Sequence, residues 1–158
     1  DLIHCIMLAT SNEACNVIAE SVSGSTEEFV KLMNQKAAEI GATNTKFSNA
    51  HGITDGTEQY TTVSDMIKIL TYALKIDGFL DISNTKYYEI PKTNLQEKRA
   101  LYTNNNFLLT NTDYYDTSVK GIKTNSMTDS YSLCSVSSKK WAEKKMKHFC
   151  PLCFLLPQ

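Results

Sequence analysis

The sequence predicts an α+β domain in which a helical part is followed by antiparallel strands. In the first half of the chain, apolar residues recur at the spacing of helices, whereas the second half holds short β-prone segments bounded by turn residues. Helices and strands that are grouped rather than alternating are typical of the α+β class. The 158 residues suffice for one domain, and no internal repeat or low-complexity linker divides them.

Four helices are predicted in the first half, and capping residues indicate where they begin and end. Either Ser11 or Asn12 can cap the second helix. Ser25 begins a capping box that closes at Glu28, and Gly41 stops the third helix. The four expected ranges are 2–9, 14–21, 26–40 and 64–77.

The strands predicted in the second half are short. One covers residues 86–90 and ends at Pro91. Two more, over residues 118–124 and 131–137, are expected to pair as an antiparallel hairpin. Residues 42–61 are rich in Asn, Thr and Gly, and we expect them to form either a long ordered loop or a chain of turns before the fourth helix.

Composition excludes several classes of function. Sixteen basic and seventeen acidic residues give a net charge of −1, so no basic excess points to a nucleic-acid partner. No apolar run approaches the roughly eighteen residues of a membrane span. Five irregularly spaced cysteines do not make a disulfide framework, and the C-x-x-C pair of Cys150 and Cys153 has too few ligands for structural zinc, even with His148 nearby. The chain starts at Asp1, and we expect it to be a fragment or a trimmed product.

Three polar segments could carry chemistry. The Thr-Ser-Asn segment at residues 10–12 places a hydroxyl and a carboxamide between two predicted helices. The Lys-Thr-Asn segment at residues 123–125 places a cation and a hydroxyl at a strand end, where they could meet an anionic ligand. The third segment runs from residues 90–94 through residues 106–109. Taken singly, the first two segments are more often a helix cap and a solvated strand end.

The order of these and other segments resembles one family. The matching segments are residues 7–14, 19–20, 24–30, 33–37, 44–53, 60–62, 64–66, 91–94, 104–109 and 121–124. In this order they resemble the serine-type D-alanyl-D-alanine carboxypeptidases, the low-molecular-mass penicillin-binding proteins. The resemblance covers about residues 1–138, as part of a catalytic domain, and leaves residues 139–158 as an atypical tail.

This resemblance implies a penicillin-recognising fold, similar to β-lactamases and transpeptidases, with three motifs around one cleft. The S-x-x-K motif supplies the nucleophilic serine and a lysine that takes its proton. Thr10 and Asn12 match the S-x-N motif, which supplies a proton-relaying hydroxyl and an amide that holds the substrate. Lys123, Thr124 and Asn125 match the K-T-G motif on the strand that binds the peptide and its carboxylate. The implied catalytic residues are Thr10, Asn12 and Lys123, and the implied substrate-binding residues are Thr124 and Asn125.

The sequence departs from the family pattern in three places. Only nine residues precede Thr10, and they contain no S-x-x-K. Two such strings, at residues 83–86 and 137–140, come after the second motif, where the family has no nucleophile, and we reject them. Thr10 replaces the serine of S-x-N, which adds a methyl group and stiffens χ1. Asn125 replaces the glycine of K-T-G, where a side chain could crowd the substrate backbone.

The resemblance implies a carboxypeptidase that removes the terminal D-alanine of a peptidoglycan pentapeptide through an acyl-enzyme, without a metal or cofactor. Its partners would be stem peptides ending in D-Ala-D-Ala and, at full length, β-lactams. It would work at the extracytoplasmic face of the bacterial membrane or in the cell wall, with any membrane association through segments outside this chain. Without S-x-x-K, we expect the chain itself to be inactive. The alternative is an inactive homologue that binds muropeptide or a partner, which the changes at Thr10 and Asn125 favour.

The order of the motifs predicts that Thr10, Asn12, Lys123 and Thr124 converge on one cleft. The distance from the Thr10 hydroxyl to the Lys123 ammonium tests this prediction in a structure. A separation well beyond about 6 Å, the reach of strong charge coupling, would count against the family assignment.

Overall fold

A computed structural model describes residues 1–53, 56–127 and 130–137. Its elements in chain order are α1 (Leu2–Ala9), α2 (Asn12–Ser23), α3 (Thr26–Glu39), α4 (Val63–Ala73), α5 (Phe79–Ser83), β1 (Tyr87–Ile90), β2 (Arg99–Tyr102), β3 (Val119–Met127) and β4 (Ser130–Ser137). Helices precede antiparallel strands, which confirms the predicted α+β class. In the described ranges, no helix has both the length and the apolar character needed to cross a membrane. The predicted tail, with its C-x-x-C pair, lies outside the described residues.

The capping residues set the boundaries of α2 and α3. Ser11 is the N-cap of α2, since its hydroxyl accepts the Ala14 N–H at 3.2 Å, and this decides between the two candidate caps. Ser25 caps α3 by accepting the Glu28 N–H at 3.2 Å, as the capping box predicts. The chain leaves α3 through Gly41, whose φ of 80° is a conformation that favours glycine.

The fourth helix differs from its prediction at both ends. α4 begins at Val63, one residue early, because the Thr62 hydroxyl caps it by accepting the Asp65 N–H at 3.2 Å. It ends at Ala73, four residues early, because the N–H groups of Lys75 and Ile76 bond three residues back, to Tyr72 and Ala73, and tighten the chain. Gly78, with a φ of 78°, then begins α5, which the sequence analysis did not predict.

The hydrophobic core is formed by the inward faces of the three longer helices, α2, α3 and α4, and of the shorter α1. These faces follow the apolar periodicity that predicted the helices. The largest fully buried apolar side chains are Ile6, Cys15, Phe29, Met33, Met66 and Ile69. Cys15 is thus a buried thiol, and Cys5 packs half-buried against the same core. Both α1 and α2 contribute residues to this core, so the junction between them is held in a fixed position.

A buried carboxylate ties the long loop at residues 42–61 to α4. Asp65 is 1% exposed, and its Oδ2 accepts the Asn44 N–H at 2.7 Å and the Thr45 hydroxyl at 3.0 Å. Its Oδ1 accepts from the Lys68 ammonium at 2.9 Å. Burial alone would raise the pKa of this carboxyl, but the hydrogen bonds from Lys68 and the loop lower it by more, so the net pKa lies below its ordinary value.

We expect Asp65→Asn to lower the free energy of unfolding at pH 7 by about 2–3 kcal/mol, because it leaves the partners of a buried charge unsatisfied. The folded-state pKa is depressed, so this contribution is complete above the unfolded pKa of about 3.9 and is lost as pH falls through the folded value. Urea unfolding from pH 7 to pH 2 measures both effects. The difference between wild type and variant should shrink at the acidic end.

Glu58→Gln is the matched control for this prediction. Glu58 pairs with Lys46 at 3.5 Å, but both side chains are exposed, so its loss should change stability by less than about 1 kcal/mol. Equal losses for the two variants would show that the Asp65 network does not hold the loop.

The strands form two separate two-stranded antiparallel sheets. β1 confirms a predicted strand and pairs with β2, so that Tyr87 lies opposite Tyr102. β2 was not predicted from the sequence, because the four residues Arg-Ala-Leu-Tyr do not alternate between polar and apolar. It is extended because β1 supplies its backbone partners. β3 and β4 form the predicted hairpin, and β3 runs three residues further than expected.

A β-bulge interrupts β3 beside the candidate site. Gly121 lies opposite Ser135 whereas Lys123 lies opposite Cys134, so β3 holds one extra residue between these two pairs. A bulge bends its strand and changes the direction of the side chains that follow. Lys123 is the first paired residue after the bulge, so its direction is set there and not by simple alternation along the strand.

Candidate active site

The structure brings Thr10 and Lys123 into direct contact. The Lys123 ammonium donates a hydrogen bond to the Thr10 hydroxyl at 2.7 Å, across 113 positions of sequence. Thr10 lies between α1 and α2, and Lys123 lies on β3. This distance is well within the 6 Å limit, which confirms the predicted proximity of Thr10 and Lys123.

Thr10 has a strained backbone. It terminates α1 with φ 54° and ψ 43°, and among the described residues it is the one non-glycine residue with a positive φ. A β-branched residue in this left-handed region costs on the order of 1–3 kcal/mol. The end of α1 holds it there, since the Thr10 N–H bonds to the Ile6 carbonyl at 3.2 Å and the Ser11 N–H bonds to the Cys5 carbonyl at 3.2 Å. Strain held in this way is typical of functional sites.

Lys123 is a buried cation. It is 3% exposed, although lysine is almost never fully buried unless its charge has a partner. An ammonium taken out of water needs hydrogen-bond acceptors to offset its lost hydration, and the Thr10 hydroxyl is one of them. The Lys123 ammonium therefore lies at the α1–α2 junction, where Thr10 is located.

The other predicted site residues adjoin this pair along the chain. Asn12 is the first residue of α2, half-buried, two positions after Thr10 at the same helix junction. Thr124 and Asn125 follow Lys123 directly on β3, where the backbone register sets them opposite Leu133 and Ser132. A hydrogen bond joins Thr10 to Lys123. Asn12, Thr124 and Asn125 are located only by their backbone positions next to these two residues.

The Thr10–Lys123 pair can pass a proton to or from a third group. A threonine hydroxyl is at once a donor and an acceptor. Because the Lys123 ammonium donates to its oxygen, the hydroxyl hydrogen of Thr10 can be directed at another group. The adjacent positive charge also favours an anion or a developing negative charge at this position.

Gly121, two residues before Lys123, lets β3 pack closely against a neighbouring turn. It was not predicted from the sequence as a site residue. A Cβ added to Gly121 would lie 2.5 Å from Leu108 Cδ1 and 2.9 Å from Asn105 Nδ2. Leu108 and Asn105 are both buried, so β3 lies directly against this turn. The segment at residues 104–109, one of the segments that match the resembled family, therefore packs against β3. The only sequence indication was that this segment recurs in the resembled family.

The rejected string at residues 83–86 has no nucleophile geometry. Ser83 is the last residue of α5, is 6% exposed, and donates its hydroxyl to the Leu80 carbonyl at 3.2 Å. Lys86 lies on the surface with its ammonium 5.5 Å from the centre of the Tyr115 ring. The second string ends at residue 140, outside the described residues.

Solved structures with the same fold define the class. Penicillin binding protein 5 from Haemophilus influenzae superposes with a TM-score of 0.71 at 25% identity, covering 89% of this chain and 39% of that one. Penicillin-Binding Protein D2 from Listeria monocytogenes, in a cefotaxime-bound form, superposes with a TM-score of 0.70 at 20% identity, covering 87% and 53%. The chain therefore has the fold of the penicillin-binding proteins, as predicted.

The family follows from the sequence comparisons. A family model described as D-alanyl-D-alanine carboxypeptidase, peptidase S11, matches residues 1–147. The chain belongs to this family. It is 32% identical over 140 residues to the D-alanyl-D-alanine carboxypeptidase DacF of Bacillus subtilis, and 40% identical over 68 residues to DacA of Escherichia coli.

The chain spans a minor part of these relatives. The match covers 89% of this chain but 34% of the Bacillus protein, and 43% of this chain but 17% of the Escherichia coli protein. The family assignment therefore rests on a match to about a third or less of the length of these relatives.

We expect Thr10→Val to lower the free energy of unfolding by about 1.5–3 kcal/mol, because the buried Lys123 ammonium loses a hydrogen bond. Valine keeps the β-branch and so leaves the backbone strain unchanged. Urea unfolding at pH 7 measures the loss. Thr71→Val is the control, since Thr71 bonds to Ile67 at 2.7 Å on the exposed face of α4 and should matter by less than about 0.5 kcal/mol. If the two variants lose similar amounts of unfolding free energy, the Thr10–Lys123 hydrogen bond contributes no more to stability than an exposed hydroxyl bond on a helix.

We expect Gly121→Ala to destabilise the protein by about 1–3 kcal/mol, because the new methyl group overlaps buried Leu108. Leu108→Ala removes the closest of the colliding atoms, Leu108 Cδ1 at 2.5 Å, and leaves the 2.9 Å approach of Asn105 Nδ2. In a double-mutant cycle followed by thermal unfolding, the alanine at 121 should therefore cost less when Leu108→Ala is present. Strict additivity would contradict the packing described for β3.

Proposed function

We propose that this chain is part of a serine-type D-Ala-D-Ala carboxypeptidase that removes the terminal D-alanine of peptidoglycan pentapeptides. The observation that carries the proposal is the 2.7 Å hydrogen bond from buried Lys123 to Thr10, at the positions of the second and third family motifs. Membership of the D-alanyl-D-alanine carboxypeptidase family supports it.

In the proposed reaction, a serine hydroxyl attacks the carbonyl carbon of the penultimate D-alanine. The bond from that carbon to the nitrogen of the terminal D-alanine breaks, and the amine leaves with a proton. Water then hydrolyses the serine ester and releases the shortened peptide and the serine. The serine belongs to the S-x-x-K motif, which in this family precedes the S-x-N motif, and the nine residues before Thr10 contain none.

We assign each residue of this chain a role in that reaction. Thr10 relays the proton to the leaving amine, and the Lys123 charge beside it stabilises the hydroxyl in the orientation that donates outward. The Asn12 amide holds the peptide. Thr124 and Asn125, on the strand that follows Lys123, bind the peptide backbone and its terminal carboxylate.

The substrate and its location follow from the same proposal. Because the chain belongs to the D-alanyl-D-alanine carboxypeptidase family, the protein would act at the extracytoplasmic face of the bacterial membrane or in the cell wall. A β-lactam would acylate the same serine of the full-length protein, as the Listeria relative in its cefotaxime-bound form suggests.

The second candidate is an inactive homologue that binds muropeptide. The strained threonine in place of serine, and asparagine in place of the K-T-G glycine, favour it. An S-x-x-K upstream of Thr10 in the full reading frame separates the two, because the binding module does not need one.

Mass spectrometry after incubation with a β-lactam tests the proposal. We expect a stoichiometric adduct on the upstream serine of the full-length protein and none on the 158-residue chain alone, because acylation needs a serine beside its base. A full-length protein with an intact S-x-x-K that forms no adduct would contradict the proposed activity. An adduct on Ser83 or Ser137 would contradict the rejection of those strings.

We expect Asn125→Gly to raise β-lactam acylation or peptide turnover of the full-length protein about tenfold, near 1.4 kcal/mol in the barrier. A ligand that adds to a strand edge needs close backbone approach, which glycine permits. Asn111→Gly, in an exposed turn between β2 and β3, is the control and should change nothing. An unchanged very low rate, with muropeptide binding intact, would favour the inactive homologue.

A further inference from the structure

Asn84 joins α5 to β3 through both ends of its amide. It follows α5 as the C-cap residue, and its Nδ2 donates to the Leu80 carbonyl at 2.7 Å. Its Oδ1 accepts the Gly121 N–H at 3.0 Å, across 37 positions of sequence. Because the Nδ2 bond fixes the amide plane, Oδ1 is held in the direction of β3.

The point that Asn84 holds lies directly before the β-bulge. Gly121 is the last paired residue before the extra residue, and Lys123 is the first paired residue after it. At about 3.3 Å per strand residue, the two lie within about 7 Å of each other. A shift of the backbone at Gly121 therefore passes directly to the Lys123 side chain.

α5 also packs against the helix that leads to Thr10. It packs against both β3 and α1, the helix that ends at Thr10. Asn84 thus fixes β3 relative to the helical unit that carries the hydroxyl. The buried turn of Leu108 and Asn105 prevents movement of Gly121 in another direction.

We propose that Asn84 is a positioning residue: its amide sets the distance between the Lys123 ammonium and the Thr10 hydroxyl by fixing β3 just before the bulge. The positioning itself is a property of the described chain. Its consequence for catalysis rests on the proposed carboxypeptidase function.

The first test uses the 158-residue chain with labelled threonine and lysine. In the wild type, a nuclear Overhauser cross-peak should join the Thr10 methyl group to the Lys123 ε protons. Asn84→Ala removes the acceptor for Gly121 and should abolish this cross-peak. A cross-peak of unchanged intensity in a folded Asn84→Ala variant would overturn the proposal.

Asn84→Asp separates positioning from helix capping. The carboxylate keeps an acceptor for the Gly121 N–H but loses the donor to Leu80. It should therefore lower the melting temperature while keeping the cross-peak. Loss of the cross-peak in a folded Asn84→Asp variant would mean that the cap on α5, not the bond to β3, holds the pair. This variant also decides the matter if Asn84→Ala does not fold.

Asn34→Ala is the matched control. Asn34 joins α3 to another segment in the same way, since its Nδ2 donates to the Phe47 carbonyl at 2.9 Å and its Oδ1 accepts the Phe47 N–H at 2.8 Å. The hydrogen bonds of Asn34 that the structure describes run to Val30 and Phe47, not to the candidate site. Asn34→Ala should lower stability and leave the Thr10–Lys123 cross-peak unchanged. Loss of the cross-peak here would show that general destabilisation, not positioning, separates the pair.

Kinetic measurements on the full-length protein separate a failure of the positioning proposal from a failure of the proposed carboxypeptidase function. With an active wild type, Asn84→Ala should reduce kcat about tenfold or more with little change in KM, because a misplaced relay slows the reaction without loosening substrate binding. Active wild type with an unaffected Asn84→Ala would overturn the positioning role alone. An inactive wild type whose cross-peak still depends on Asn84 would overturn the proposed function and support the positioning.

Discussion

The burial of one positive charge organises the two halves of this domain. Lys123 is nearly inaccessible to water, and an ammonium in that position is stable only with hydrogen-bond acceptors around it. The Thr10 hydroxyl is one such acceptor, and it comes from the helical half. The contact therefore joins the α1–α2 junction to the β3–β4 hairpin at the place where chemistry is proposed. A surface lysine at the same position would leave the two halves without this connection.

Both partners of that contact are held in unfavourable or irregular backbone geometry. Thr10 occupies a left-handed conformation that its β-branch resists, and Lys123 follows a bulge that interrupts its strand. Neither would persist on a flexible loop. The end of α1 and the cap of α2 fix the first, while Asn84 and the turn beneath Gly121 fix the second.

A second buried charge stabilises the scaffold away from the site. Asp65 binds the loop at residues 42–61 to α4, with a pKa lowered by the hydrogen bonds that it accepts. The loop in turn covers part of the helical core, through Ala42, Phe47 and Ala50. The rigidity of the α1–α2 junction depends on this core, so a network far from the site contributes to the geometry within it.

The sequence by itself determined the features that depend on near neighbours along the chain. The caps at Ser11 and Ser25, the helical faces and the β3–β4 hairpin follow from local patterns, and the order of the motifs identified Thr10 and Lys123 as partners. Tertiary structure alone decided the extended state of β2, the bulge before Lys123 and the bond from Asn84 to Gly121. Each of these is stabilised by a segment distant in sequence, and the amino acids at the position itself carry no local preference for it.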